Sequence, residues 1–212
     1  MIDSIDVFTH TSIRIKSGHS TMYFDPFQVE EEYHDADFIF LTHDHYDHYS
    51  PEDIKKVMGE HTTIIAPERM ADTIASDLSG YESIVAVGAG VFKSVNRLEF
   101  DTVPAYNQLK PFHSKAAGWV GYVVRIDGKR VYVAGDTDAT KEARQVQCDI
   151  ALVPIGGTYT MDAKKAAELV NEIRPQIAIP THYGNIVGKP ADADTFEKLV
   201  KAPIKVVKKI QF

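Results

Sequence analysis

The 212 residues are 44% hydrophobic and 25% charged, the balance of a folded globular chain and not of a disordered or membrane-embedded one. The formal charge of -7 argues against a protein that grips nucleic acid through a broad basic face, because phosphate neutralisation dominates such binding. The length suits one domain over 1–212, and the acidic N-terminal stretch, the lack of a bilayer-length apolar run and the lone Cys148 together predict a cytoplasmic protein that does not engage a membrane.

In chain order, residues 5–8, 12–16 and 21–25 alternate apolar and polar side chains, with a turn over 17–20, and predict an antiparallel strand series. Residues 37–42 form an apolar run of strand length that feeds directly into a histidine cluster, the pattern of a buried strand with chemistry at its C-terminal end. Ser50 followed by Pro51 predicts a capped helix, residues 63–67 a strand, and Pro67-Glu68 a second short helix reaching Leu78. Strands are expected over 83–87, 97–105, 118–126 and 130–134, with Asp127-Gly128 as a tight hairpin turn between the last two. Beyond Gly135 the pattern alternates: strand 149–155, helix 162–173, strand 176–180, helix 193–200, strand 204–207. Lys198, Lys201, Lys205, Lys208 and Lys209 are spaced among apolar residues and read as a solvated edge. Antiparallel strands with helices in both halves predict an α+β fold: two sheets packed face to face, helices outside, an αββα sandwich.

The chemistry concentrates in Thr42-His43-Asp44-His45-Tyr46-Asp47-His48, which puts three of the nine histidines within six positions. Neutral imidazole is the commonest ligand for zinc-like metals, and a carboxylate adds a harder oxygen donor. Alternation sends His43 and His45 to one side, where they can share an ion, while Asp47 and His48 fall on the next turn and can serve a second. The competing reading is a polar, helix-capping surface loop that happens to be rich in histidine.

This run resembles the hallmark His-x-His-x-Asp-His of the metallo-β-lactamase superfamily, standing here as His43, His45, Asp47 and His48. Other parts of that family's pattern follow over nearly the whole chain: Asp25 after Tyr23-Phe24, His113 in Phe112-His113-Ser114, Asp136 in Gly135-Asp136-Thr137, and His182 in Thr181-His182-Tyr183-Gly184. The resemblance implies that His43, His45 and His113 hold a first ion, Asp47, His48 and His182 a second, and that Asp136 bridges them. It also implies that Asp47 and Asp136 act catalytically by positioning the water and the ions. Zinc is the expected metal, with manganese or iron as alternatives because oxygen donors are present. Where the bridging residue is cysteine, as in one class of zinc β-lactamases, another chemistry is implied; with Asp136 here, and Cys148 in a strand approach, β-lactamase activity is not expected.

Within the superfamily the chain resembles the ascorbate-6-phosphate lactonase-like branch of metal-dependent hydrolases, which carries a histidine at the position of His10. His10 is read as a structural or supporting residue and Asp25 as a support for a liganding imidazole. Residues 154–162 resemble a Gly-Gly-x-Tyr-Thr-Met loop of that branch; Gly156-Gly157 could present N–H groups to an anion, or form a plain strand-to-helix turn. Tyr106, Asn107 and Lys110 are candidates to line a substrate cleft. His19, His34 and His61 receive no role.

The resulting expectation is hydrolysis of a small ester, lactone or phosphoester by hydroxide held at a dinuclear metal site. The alternatives are a non-catalytic metal-binding or scaffold module, or a nuclease. A small-molecule substrate, no nucleic-acid partner and a possible homo-oligomer complete it.

Overall fold

The computed structural model describes residues 1–18 and 20–212; His19, in the turn expected over 17–20, lies outside them. The alternating N-terminal runs become β1 (Ile5–Thr9), β2 (Ser12–Ser17) and β3 (Ser20–Phe24), paired antiparallel in chain order. Pairing then turns parallel through β4 (Ala36–Phe40), β5 (Met58–Pro67) and β6 (Ser83–Val87), completing a six-stranded sheet in the order β1-β2-β3-β4-β5-β6.

The second sheet has seven strands. β7 (Phe92–Val95), β8 (Leu98–Pro104), β9 (Val120–Ile126) and β10 (Lys129–Val133) pair antiparallel, and β11 (Ile150–Pro154), β12 (Ile177–Thr181) and β13 (Lys205–Val206) continue parallel. The helices α1 (Pro51–Val57), α2 (Ala71–Asp77), α3 (Ala163–Ile173) and α4 (Asp192–Leu199) supply four of the six parallel crossovers.

β4 shows why the middle strands read as unbroken apolar runs. Phe38 and Phe40 face the core between the sheets, while Ile39 and Leu41 face a separate core shared with Ile54, Val57 and Ile74 of α1 and α2. Between the sheets an aromatic cluster locks the two layers: Phe40 stacks on Phe24 at 4.7 Å and meets Phe100 and Tyr122 of the opposite sheet edge-on at 5.3 and 5.0 Å. The Tyr122 hydroxyl donates across the interface to the Leu41 carbonyl at 2.7 Å, two residues before His43.

Local signals account for the element ends. Ser50 accepts the Asp53 N–H and Pro51 opens α1; Asp162 accepts the Lys165 N–H at the start of α3. Asp127 and Gly128 both adopt positive φ, as a tight hairpin turn demands.

Two expectations are corrected. The strand expected from Arg97 begins at Leu98, because Asn96 and Arg97 take left-handed φ of 48° and 70° and turn the chain back onto β7, a strand not expected from the sequence pattern. The helix expected to Leu78 opens as a 3-10 turn over Glu68–Met70 before α2. At the other edge β13 carries exposed Lys205, while Lys208 is tied to Asp194 and Glu197 at 2.9 Å each, so part of the basic run is neutralised within the chain. Among the described residues no helix is long and apolar enough to cross a membrane.

Candidate metal centre

Strand ends deliver the predicted residues to one place. Asp25 follows β3; His43, His45, Asp47 and His48 follow β4; Asp136 follows β10; His182 follows β12; and His113 lies between β8 and β9. C-terminal ends of parallel strands are where α/β layers leave a crevice, so the convergence follows from topology. All seven predicted ligands come together. His43, His45 and His113 form one group whose donor atoms lie within 4.8 Å of one another, and Asp47, His48 and His182 form a second that also includes His10.

Asp136 sits between the groups. Its Oδ2 lies 3.1 Å from His182 Nε2, 3.3 Å from His113 Nε2 and 4.0 Å from His43 Nε2, and its Oδ1 is 3.3 Å from His48 Nε2. Yet Nε2 of His43, His48, His113 and His182, all buried, has no partner at hydrogen-bond geometry among the described residues, and neither has Asp136 Oδ1. Leaving so many buried polar atoms unpaired would cost about 1–3 kcal/mol each. Lone pairs aimed at a common point with no proton donor are what a cation satisfies, so the donor set fits divalent metal ions.

The far nitrogens of three of these rings are held by the chain. His48 Nδ1 donates to Asp25 Oδ2 at 2.8 Å, His43 Nδ1 to Thr42 Oγ1 at 2.9 Å, and His113 Nδ1 to Asn107 Oδ1 at 3.0 Å. Asp25, fully buried, also receives the Thr42 hydroxyl at 2.6 Å and the Thr42 N–H at 2.8 Å. With acceptors fixed at Nδ1, each ring keeps its proton there and turns Nε2 inward as a lone pair.

Burial and the neighbouring His48 push His43 well below the ordinary imidazole range, and burial with His113 lowers His45, which keeps both rings in the neutral, ligating form. Burial would raise Asp136, but His182 and His48 outweigh it and hold its carboxyl well below the usual range. Asp47 likewise falls to about 2, burial being overcome by its hydrogen bond from His10. Burial opposes charge on His48, yet Asp136 and Asp25 hold it up at about 9 when no metal is bound, a sign that this position attracts positive charge.

His10 stands in the supporting position expected of it, and Trp119 takes a part that the sequence does not disclose. His10, fully buried in a left-handed turn at φ 51°, touches Asp47 Oδ2 through Nε2 at 2.9 Å and lies against the His182 ring at 3.7 Å. Its carbonyl accepts the His182 N–H at 2.8 Å, joining the rims of the two sheets. Trp119 packs against His43, His45 and His113 at 5.2, 4.8 and 5.4 Å; the one sequence signal for it is being the only tryptophan.

The three cleft candidates do not line the cleft. Tyr106 donates to Glu142 at 2.8 Å, Asn107 supports His113, and Lys110 is bound to Asp138 and to the carbonyls of Gly157 and Thr160. The Gly157 and Thr158 N–H groups bond to Met161 and Gly156 carbonyls at 3.0 and 3.1 Å, so this loop is a strand-to-helix turn. His34 and His61 are exposed and stand outside all three clusters that could hold an ion.

A family model described as a beta-lactamase superfamily domain matches residues 4–182. The UPF0173 metal-dependent hydrolase of Pyrococcus abyssi is 32% identical over 204 residues, covering 90% of this chain and 89% of its own. A crystal structure from Parabacteroides distasonis superposes with a TM-score of 0.83 at 28% identity, covering 98% of this chain and 93% of that one. A metallo hydrolase of Ignicoccus hospitalis shares the fold at a TM-score of 0.75 and 22% identity, covering 97% and 94%. A match over most of the chain, an archaeal relative aligned nearly end to end and a metal-fitting centre at the strand ends lead to one assignment: the chain belongs to the beta-lactamase superfamily, in the UPF0173 family of metal-dependent hydrolases.

Proposed function

We propose that the chain hydrolyses a small ester, lactone or phosphoester using two divalent metal ions, zinc first and manganese or iron as alternatives. His43, His45 and His113 would hold one ion, Asp47, His48 and His182 the other, with Asp136 shared. The observation that carries this reading is the ring of unpaired, inward-facing Nε2 atoms around Asp136. Bound there, the ions would supply Lewis acidity toward the substrate oxygen and lower the pKa of a water toward neutrality.

The chain's own residues do the rest. Asp47 and Asp136, ionised at neutral pH, line the cleft floor and offer acceptors that orient a water, and His10 holds the Asp47 carboxylate in place. Asp25, Thr42 and Asn107 fix the tautomers of His48, His43 and His113, so the geometry of these three ligands is set before substrate arrives. A cleft of about 300 Å³ suits a small molecule better than a polymer.

Elemental analysis combined with a panel of esters, lactones and phosphoesters tests the proposal. We expect about two metal ions per chain and turnover that Asp136→Ala lowers about 100-fold or more. Protein without bound metal would overturn the ligand assignment; protein loaded with metal but inert across the panel would mark a metal-binding module.

A further inference from the structure

We propose, on the reading that this centre is hydrolytic, that its cleft selects an uncharged carboxylic ester or lactone bearing an apolar side group and disfavours phosphoesters. The floor is made by His45, Asp47 and Asp136, and the walls by Tyr46, Phe112, Tyr159 and Ile186. Three of these wall residues are large side chains left in solvent, with Tyr46 68%, Phe112 43% and Tyr159 36% exposed. Apolar surface gathered around a polar floor marks a binding site for apolar groups.

The wall is built to hold its shape. Phe112, between β8 and β9, and Tyr159, between β11 and α3, meet edge-to-face at 4.7 Å. Their two loops are fastened beneath the rings: Asn107 donates to the Tyr159 carbonyl at 2.9 Å, and Lys110 reaches the Gly157 carbonyl at 3.1 Å and the Thr160 carbonyl. An aromatic pair anchored from both sides presents a preformed apolar face, so a substrate's side group gains burial without first ordering the wall.

Metal ions can themselves hold a phosphoryl oxygen, so a preference for phosphoesters over neutral esters calls for further donors beside them, an Arg or Lys fork or a nest of free N–H groups. Among the described residues, no Arg or Lys lines the cleft. Lys110, which could have served, is committed to carbonyls and to Asp138, 3.4 Å away. The Gly157 and Thr158 N–H groups are spent within their own turn. Arg69 pairs with Asp44 at 3.4 Å and lies over Trp119. Beyond the ions, an anionic substrate would thus find no basic side chain in the cleft, whereas a neutral ester with an apolar group gains burial against the walls.

In the reaction, the water oxygen bonds to the acyl carbon and the acyl C–O bond breaks. One water proton ends on the leaving alcohol, which stays tethered in a lactone, and the carboxylic acid formed releases the other to solvent.

The test measures kcat/KM of the metal-loaded protein on γ-butyrolactone, γ-hexalactone and γ-octalactone, and on p-nitrophenyl acetate against p-nitrophenyl phosphate. Burial of the growing alkyl group should raise kcat/KM about fourfold per buried methylene. Phe112→Ala and Tyr159→Ala, checked for unchanged metal content, should flatten that rise. A flat chain-length series in the wild-type protein, or faster turnover of the phosphate, would overturn the cleft assignment while leaving a metal hydrolase standing. Inertness toward every substrate with two metal ions bound would overturn the hydrolytic reading itself.

Discussion

Replacing Asp25 by Asn probes the support of the metal centre with little change of shape. Asp25 holds a left-handed φ of 44°, which Asn tolerates as well as Asp, so the backbone should stay in place. Oδ1 can still accept the Thr42 N–H, but an NH₂ now stands where Oδ2 received His48 Nδ1 at 2.8 Å. Two donors face each other, and His48 relieves the conflict by moving its proton to Nε2. That nitrogen is the one 3.3 Å from Asp136 and 3.7 Å from Asp47, and once protonated it no longer has a lone pair for a metal. Replacing a residue that orients a metal ligand typically costs 10- to 100-fold in affinity or activity, here about 1.4–2.7 kcal/mol at the ion proposed for Asp47, His48 and His182. Titration of the loaded variant with a metal chelator, followed by elemental analysis, should show one equivalent lost about 10- to 100-fold more readily than in the wild type. Wild-type retention of both equivalents, with only a lower melting temperature, would refute the tautomer argument and reduce Asp25 to a structural residue.

Gly156→Ala should strike the centre without touching a ligand: a Cβ there would overlap the His182 carbonyl and stand 2.6 Å from Val187 Cγ2. The backbone of His182 must shift, so metal content and activity should fall together, and a variant with normal metal stoichiometry would show that the loop yields instead. Tyr122→Phe removes the hydrogen bond to the Leu41 carbonyl inside the sheet interface and should cost about 1 kcal/mol, a drop of about 2–4 °C in melting temperature. Metal content should stay unchanged in that variant; its loss would mean that Leu41 positions His43 more tightly than the two-residue separation suggests.

Features that depend on neighbours along the chain are legible in the amino-acid sequence itself. The Thr42–His48 cluster, the apolar run of β4, the Ser50 cap and the Asp127-Gly128 turn each encode their geometry through their own side chains and backbone preferences, and each stands where the pattern places it. The resemblance extends this reach to His113, Asp136 and His182, which the strand ends and the loop before β9 carry to one point. Tertiary structure alone decides the rest. His10 meets Asp47 and His182 because β1 ends beside the opposite sheet's β12, a pairing of chain segments more than 170 residues apart that no local pattern records. Asn107 and Lys110 resemble cleft residues by position but turn inward, since a buried imidazole and a set of loop carbonyls compete for their donors and acceptors. The cleft wall of Phe112 and Tyr159 comes from loops in different halves of the second sheet. Metal ligands are announced by residue type and spacing, whereas the surface that selects a substrate is assembled from side chains whose chemistry is ordinary until folding sets them side by side.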